Sequence, residues 1–168
     1  NEAIVLADQI RERSDQDRDA RTVLAAMLIE KQNPTIFTCV ELLNRDNAAH
    51  LERMGVEEIL VTDEYAGTIL ANAQRTRGII TMLNELFDPA RGNQFYKVPL
   101  PTVWAGKTIS YIFEALKRQY DAILVSIETT DPSGGSQLKV NPHNDLIARN
   151  GDKLVVIAQR RIDFRDAY

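Results

Sequence analysis

The feature that most constrains the fold is the strand-like run near the start of the chain, Ala3-Ile4-Val5-Leu6-Ala7-Asp8. Residue 1 is Asn rather than Met, and no glycine-rich loop precedes the run. A strand that opens a strand–helix alternation joins a parallel sheet, and such strands need cover on both faces and a neighbour on each side. We therefore expect a domain completed by a partner or a fragment of a larger polypeptide, and the fragment is the interpretation adopted.

The first 77 residues alternate strand and helix patterns. Strands are predicted at 3–8, 35–43 and 58–62 from their β-branched, apolar runs. Helices are predicted to follow the N-cap-rich segment at 14–17 and to cover 46–54 and 64–76. Two apolar sets at helical spacing are expected to face inward: Ala20, Val23, Leu24, Met27 and Leu28, and then Ile69, Leu70 and Ala73. The order predicts a parallel sheet with right-handed crossovers.

The segment at 78–92 breaks this rhythm. Its apolar residues cover more than one face of a short helix, and they are Ile79, Ile80, Met82, Leu83, Leu86 and Phe87. A helix that is apolar most of the way round must be buried on most sides. We interpret it as the contact with a partner subunit, while a core helix between two lobes stays open as the alternative. The predicted organisation is a lobe at 1–77, this helix and a turn at 78–92, and a second lobe at 93–168.

The second lobe is predicted to be a small α+β unit that is mostly antiparallel. Strands are expected at 94–98, 122–129, 137–140 and 153–158, with a helix at 107–120. Asp131-Pro132-Ser133-Gly134-Gly135 has the chemistry of a hairpin turn. Trp104 is expected to pack where the two lobes join.

Charge and cysteine content exclude several classes of function. The chain of 168 residues has a net charge of −4, and the charge is uneven: 16 acidic and 10 basic residues lie in 1–92, but 8 and 10 in 93–168. No basic stripe is present, so nucleic acid is not an expected partner. The single cysteine, Cys39, excludes a disulfide framework, favours a reducing compartment, and is expected to be a buried thiol. No apolar run approaches the ~20 residues that a membrane span requires.

Two carboxylates are the candidate site in the first lobe. Asp8 ends the first strand and Glu41 lies at the end of the second, at the edge where open α/β sheets bind ligands. Hard cations such as Ca²⁺ take several carboxylate and carbonyl oxygens, so the pair is a candidate metal site. The alternatives are that Asp8 caps a backbone N–H and that Glu41 pairs with an arginine such as Arg45.

A second acidic group precedes the first helix. Asp15, Asp17 and Asp19 interleave with arginines at positions 11, 13, 18 and 21. Their position at a helix N-terminus and local ion pairing account for them, and a metal site is the lesser alternative. His50 and His143 have no partners at metal-ligand spacing, so zinc is not expected.

Two stretches carry a resemblance to a known family. The first comprises Leu6-Ala7-Asp8, the segment at 14–21, Glu41, the segment at 44–47, and Met54-Gly55-Val56-Glu57-Glu58-Ile59. The second runs from Gly106-Lys107-Thr108 through the segment at 120–125 to Val140-Asn141-Pro142, Asp145 and Gly151-Asp152-Lys153-Leu154-Val155-Val156-Ile157. Together they resemble the regulator-of-K⁺-conductance (RCK) domain of prokaryotic potassium channels and Trk/Ktr transporters.

The resemblance implies a fold and an assembly. The fold class would be α/β, with the C-terminal half of a Rossmann-like parallel sheet, a crossover helix, and a small α+β lobe of the TrkA-C type. The helix at 79–87 would clasp a second subunit, and the resulting homodimers would assemble into a ring that gates a membrane pore from the cytoplasmic face of the membrane. A preceding segment would hold the first strands and a Gly-x-Gly-x-x-Gly loop.

The resemblance also implies ligands. An adenine nucleotide would be bound mainly by that preceding segment, and contact with this nucleotide is a further alternative for Asp8. Calcium would be bound by Asp8 and Glu41, although Leu43 stands where a second glutamate is expected. The function implied is a non-enzymatic, ligand-sensing regulatory domain. Two alternatives stay open: the tail of a dinucleotide-dependent oxidoreductase, for which Tyr65 lacks a helical lysine partner, and a dimerisation module without a ligand.

Overall fold

The computed structural model describes residues 2–8, 14–88, 90, 92–130 and 135–164. The chain divides into two compact units, Asn1–Arg77 and Gly78–Tyr168. Each unit is described by itself below.

The elements of the first unit alternate between strand and helix. They are β1 (Glu2–Val5), α1 (Asp15–Gln32), β2 (Phe37–Leu42), a 3₁₀ turn (Arg45–Asn47), α2 (Ala48–Glu52), β3 (Glu58–Val61) and α3 (Thr62–Arg75). The second unit contains α4 (Ile79–Phe87), β4 (Gln94–Pro99), a 3₁₀ turn (Thr102–Trp104), α5 (Ile109–Tyr120), β5 (Ile123–Thr130), β6 (Ser136–Val140) and β7 (Lys153–Ala158).

The strands of the first unit form a parallel sheet in the order β1-β2-β3. Val5 is paired with Val40, and Val40 with Ile59. Side chains alternate along β2, so that Val40 and Leu42 are buried in a core shared with Leu51 of α2. The predicted parallel sheet is thus confirmed.

The predicted inward face of α1 is wrong. Its buried residues are Asp19, Thr22 and Ala26, whereas the apolar residues Leu24 and Leu28 are exposed. Because Ala26 and Thr22 are small, they allow the helix to lie close to the sheet. Of the other predicted residues, Ala20 and Met27 are also exposed. Val23 is half-buried and packs against the core.

The prediction for α3 is also wrong in part. None of its residues is buried, Ile69 and Ala73 are half-buried, and Leu70 is exposed. An amphipathic pattern marks which face of a helix is apolar, but it does not guarantee that the same unit supplies the surface that covers that face.

The second face of the parallel sheet carries apolar side chains that are open to solvent. Ile4 of β1 is 73% exposed, and Phe37 of β2 and Leu60 of β3 are exposed as well. Cys39 lies on this face, opposite to the buried side chains of Val40 and Leu42, and is half-buried rather than buried as predicted. Since parallel sheets are normally covered on both faces, this surface is incomplete as it stands.

The second unit is an antiparallel sheet in the order β4-β7-β5-β6, with α5 packed on β5. This arrangement confirms the predicted small α+β lobe. Trp104 lies in the core of this unit, where its ring meets those of Tyr120 and Phe164 at centroid distances of 6.4 and 5.2 Å. It therefore packs within one unit, contrary to the prediction. Four of the five residues of the predicted hairpin turn, 131–134, lie outside the described residues.

Among the residues that the structure describes, none of the helices combines the length and the hydropathy that crossing a bilayer requires.

Candidate functional site

Glu41 joins the carboxyl ends of all three parallel strands. Its Oε2 accepts the backbone N–H of Ala7 at 3.1 Å, and its Oε1 accepts the hydroxyl of Thr62 at 2.8 Å. Ala7 follows β1 and Thr62 follows β3, so this half-buried carboxylate of β2 holds the two neighbouring strand ends. The alternative pairing of Glu41 with Arg45 is wrong.

Asp8 lies at the same edge, because it directly follows the residue whose N–H Glu41 accepts. It is half-buried. The structure thus places both predicted site residues at the carboxyl edge of the sheet, where sequence analysis expected them.

The edge does not fit a calcium ion well. Within the described ranges, no group of three or more His, Cys, Asp or Glu side chains is placed to hold a metal. Both oxygens of Glu41 already accept hydrogen bonds, and Leu43 supplies no side-chain oxygen. Because Ca²⁺ needs six to eight oxygen ligands, the predicted calcium site gains no support.

Asp19 is the residue at this edge that sequence analysis missed. It is fully buried, and its carboxylate accepts the backbone N–H groups of Leu43 and Asn44, both at 2.9 Å, and the side-chain amide of Asn47 at 2.8 Å. The turn after β2 is therefore built around a carboxylate of α1. The usable signal was the helical spacing of Asp19 with Thr22 and Ala26, which marks a face of small and polar residues.

The other two aspartates of the group pair locally. Asp15 lies 3.7 Å from Arg18, and Asp17 lies 3.6 Å from Arg21. The expected local ion pairing is confirmed for these two, while Arg11 and Arg13 lie outside the described residues.

Arg45 fixes the same turn from the solvent side. Its Nη2 donates to Glu64 Oε2 at 2.7 Å, and its Nε contacts both oxygens of Glu64 at 3.1 Å. The hydrogen bond from the guanidinium lowers the pKa of Glu64, with desolvation of the carboxylate opposing the shift. The turn after β2 is thus tied to α1 by a buried carboxylate and to α3 by an exposed one.

The second candidate site is the α4 surface, which we define as the apolar residues Ile79, Ile80, Met82, Leu83, Leu86 and Phe87. Within the described chain none of them is buried, and Ile80, Met82 and Phe87 are exposed, Phe87 by 67%. The helix carries one charged residue, Glu85. Such a surface is typical of a helix whose partner is another subunit.

The apolar surface continues from α4 onto the antiparallel sheet. The ring of Phe87 lies 6.4 Å from that of Phe95 on β4. Phe95 is paired across the sheet with Ile157 of β7, and Ile157 with Ile123 of β5. Because Phe95 and Ile123 are exposed, an apolar row crosses three strands beside the helix.

Comparison with solved structures identifies this architecture. The chain superposes on the human SLO3 gating ring with a TM-score of 0.73 over 94% of its length, at 16% sequence identity. This chain has the fold of a gating-ring domain. The resemblance to the RCK fold is thereby confirmed, and the chain spans about a third (32%) of the SLO3 gating-ring chain.

Other matches have lower scores. The GsuK RCK domain matches at 20% identity, covering 94% of this chain and 30% of that one, with a TM-score of 0.42. The GsuK channel bound to NAD matches at 20% identity, covering 93% and 25%, with a TM-score of 0.41. No protein-family model matches the sequence, and no curated protein does. The fold assignment therefore rests on the superposition with the SLO3 gating ring.

Proposed function

We propose that this chain is part of a regulatory domain that gates a potassium channel or transporter through conformational change in a dimer or ring. The observation that carries the proposal is the superposition on the SLO3 gating ring over 94% of the chain. In the proposed setting the domain lies at the cytoplasmic face of the membrane and acts on a membrane pore, in the same or in another polypeptide.

The α4 surface supports assembly as the first step of this function. Six of the nine residues of α4 are apolar, and none of the nine is buried within the described chain. An interface of standard size buries about 800 Å² on each partner. A single nine-residue helix offers less, but the row of Phe95, Ile157 and Ile123 extends the apolar surface beside it. We infer that a second copy covers both.

The open face and edge of the parallel sheet support the inference that the lobe is completed by other polypeptide. In the described chain β1 pairs with β2 alone, and Ile4 is largely exposed. A preceding lobe would cover these surfaces and would bring its own ligand-binding loop to the edge held by Glu41 and Asp8. An adenine nucleotide bound mainly by that lobe remains our prediction for the ligand.

Gating would follow from differential binding. A ligand that binds one geometry of the ring better than another shifts the population of the two. Moving the pore from mostly closed to mostly open takes about 5.5 kcal/mol over the whole assembly. Several modest sites summed over a ring can supply that difference.

Oligomeric state tests the assembly step. We expect the wild-type chain to form at least a dimer at micromolar concentration in light scattering, and Met82→Asp and Leu83→Asp to shift it to the monomer. Val103→Asp is the matched control, since Val103 and Met82 are exposed to similar extents, 51% and 49%. A wild-type monomer, or a dimer that both α4 variants leave intact, would overturn the proposed interface.

Two further measurements separate the alternatives. The reading frame upstream of Asn1 should encode a membrane pore or the first half of the sheet; a complete dehydrogenase domain there would favour the oxidoreductase fragment.

A dimerisation module without a ligand is favoured by one observation, the engagement of both Glu41 oxygens within the chain. Calorimetry of the parent polypeptide with NAD, ADP and Ca²⁺ decides this, because heat that Asp8→Ala abolishes requires a ligand site at the edge.

A further inference from the structure

An open cavity of about 1140 Å³ in the second unit is lined by the end of α5 and by the segment that follows β7. Its polar lining side chains are, apart from two aspartates, Arg118, Gln119, Tyr120, Gln159, Arg160 and Arg161. The described lining belongs entirely to the second unit and includes no residue of the α4 surface. We call this cavity the arginine cleft.

The backbone on both sides of the cleft is anchored in the core. α5 ends at Asp121, whose left-handed conformation (φ 50°) turns the chain into β5, and β5 is paired with β7. Beyond β7, Ile162 is buried again, and the ring of Phe164 lies 5.4 Å from that of Tyr120. The exposed positions 159–161 therefore connect two fixed points, which holds their side chains beside the end of the helix.

Two of the three arginines carry charge that the described chain leaves unpaired. Among the residues that the structure describes, Arg160 and Arg161 form no ion pair, and neither donates a hydrogen bond to the carbonyl groups at the end of α5. Arg118 pairs with Glu114 at 3.4 Å, but these side chains are 73% and 71% exposed, so the pair is weak. Basic residues near the end of a helix are explained by its dipole, yet Arg160 and Arg161 belong to a different element.

The acidic residues of the lining are already engaged. Asp121 accepts a hydrogen bond from Lys117 at 2.5 Å, and Asp163 is not free either. The positive charge that the cleft offers to a ligand is therefore that of Arg160 and Arg161, with Arg118 available because its own pair is weak.

We propose that the arginine cleft binds a small molecule that carries a phosphate group, with Arg160 as its main contact. A guanidinium group presents a planar fork of N–H donors that matches two oxygens of a phosphate. A phosphate with two negative charges is balanced by two such groups, whereas a single carboxylate would leave one of them uncompensated. The inference goes beyond the proposed function, because it depends only on residues of the second unit.

Arg160 is the residue to test, since Arg161 also lines a smaller neighbouring cavity of about 530 Å³. The arginine cleft is slightly larger than the roughly 300–1,000 Å³ typical of small-molecule sites. It therefore has room for an organic part of the ligand beside the phosphate, against the half-buried ring of Tyr120.

Calorimetry of the full chain with inorganic pyrophosphate at low ionic strength tests the site. We expect saturable binding to the wild type, and about tenfold weaker binding or less to Arg160→Gln, because one charged pair of hydrogen bonds is lost. Arg149→Gln is the matched control: Arg149 is exposed in the same unit, lies outside the described lining, and loses the same charge. No binding to the wild type, or equal affinity of the wild type and Arg160→Gln, would overturn the proposal.

A charge-preserving variant separates a built site from general attraction of anions. Arg160→Lys keeps the charge but replaces the planar fork with a single ammonium group. It should bind pyrophosphate nearly as weakly as Arg160→Gln, with an unchanged thermal unfolding transition. Wild-type affinity in Arg160→Lys would contradict recognition by the fork and reduce the cleft to a basic surface.

Vesicles distinguish the two sources of a phosphate group, a soluble compound and a lipid headgroup. We expect the chain to bind pyrophosphate but not to sediment with phosphatidylglycerol vesicles beyond the level seen with phosphatidylcholine. Sedimentation that Arg160→Gln abolishes would keep the phosphate site and assign it to a lipid. Met82→Asp should leave pyrophosphate affinity unchanged whether or not α4 is an interface, because the cleft lies within one chain; loss of binding in that variant would overturn a single-chain site.

Discussion

At the scale of single residues, the carboxylates of this chain act mainly as acceptors for the chain itself. Asp19 and Glu41 both accept backbone N–H groups at the carboxyl edge of the parallel sheet. Carboxylates in such places resemble metal ligands in sequence, since both roles need an acidic residue near a strand end. Only the positions of the donors distinguish the two roles.

Asp19→Ala is expected to destabilise the first unit strongly. The substitution removes the charged acceptor of the N–H groups of Leu43 and Asn44 in a part-buried turn, which is expected to cost about 2–4 kcal/mol in the free energy of unfolding. Urea denaturation followed by circular dichroism measures this loss. Asp15→Ala serves as the control, since the exposed pair at 3.7 Å is worth about 0–1 kcal/mol; equal effects of the two variants would contradict the role given to Asp19.

Glu128 is expected to make the stability of the second unit depend on pH. Its side chain is 12% exposed, it binds Lys97, and it accepts a hydrogen bond from Lys153 at 3.1 Å. The hydrogen bond from Lys97 is the main cause that lowers the pKa of Glu128 below its ordinary value near 4.5, with Lys153 adding to it and burial opposing it.

A carboxyl group whose pKa is lower in the folded state stabilises that state above its unfolded pKa and loses the contribution as the pH falls through the folded value. Glu128→Gln should therefore lower the unfolding free energy at neutral pH by about 1 kcal/mol. Unfolding curves of both proteins should converge as the pH falls below 4.5. Glu114→Gln, which removes an exposed pair with Arg118, should give no such convergence; a pH-independent difference for Glu128→Gln would contradict the assignment.

At the scale of elements, the helices differ in where their apolar faces point. α5 buries Ile112 and Leu116 against its own sheet, whereas α4 buries none of its residues and α1 buries its small and polar face. A helix begins and ends according to local sequence: Thr108 caps α5 by accepting the N–H of Tyr111, and Asp121 ends it in the left-handed region. The surface against which each face packs depends on the rest of the chain and on its partners.

The two faces of α5 should respond differently to truncation. Ile112→Ala removes a fully buried side chain and is expected to cost about 2–5 kcal/mol of unfolding free energy, because it leaves a cavity in the core. Phe113→Ala, one residue further on and 47% exposed, should change stability by about 0.5 kcal/mol. Denaturant titration of both variants checks the difference. A larger loss for Phe113→Ala than for Ile112→Ala would contradict the assignment of the Ile112 face of α5 to the core.

At the scale of the whole molecule, the two units are complete to different degrees. The core of the second unit combines residues of β4, β5 and β7 with residues of α5, and it includes Trp104 and Leu154. The core of the first unit is smaller, and the other face of its sheet leaves Ile4 and Leu60 exposed. We therefore expect the second unit to fold by itself and the first to need further polypeptide.

Separate expression of the units tests this difference. Residues 78–168 alone should give a cooperative thermal transition and dispersed amide resonances, because their core is closed. Residues 1–77 alone should lack a cooperative transition, since the open sheet face and edge remain unsatisfied. A cooperative transition for 1–77 alone would show that the three-stranded sheet is self-sufficient.

Much of the architecture could be predicted from the sequence. The β-branched runs at positions 37–42 and 123–130 are strands, and the parallel and antiparallel sheets follow from their order. The position of Asp8 and Glu41 at one edge of the sheet followed as well, because strand ends in a parallel sheet share an edge. The partners of Glu41 and Asp19 could not be predicted, since they lie 21 to 34 residues away in the chain.

The sequence by itself determined the elements, their order and the apolar faces of the helices, because these depend on residues three or four positions apart. The tertiary structure decided which of those faces are covered, and it turned Leu24 and Leu28 outward and Asp19 inward. The physical reason is that burial depends on which surfaces meet. Because α1 packs closely on the sheet, its small residues Thr22 and Ala26 face inward. Asp19 is stable in the interior because its carboxylate accepts three hydrogen bonds, from the N–H groups of Leu43 and Asn44 and from the side chain of Asn47.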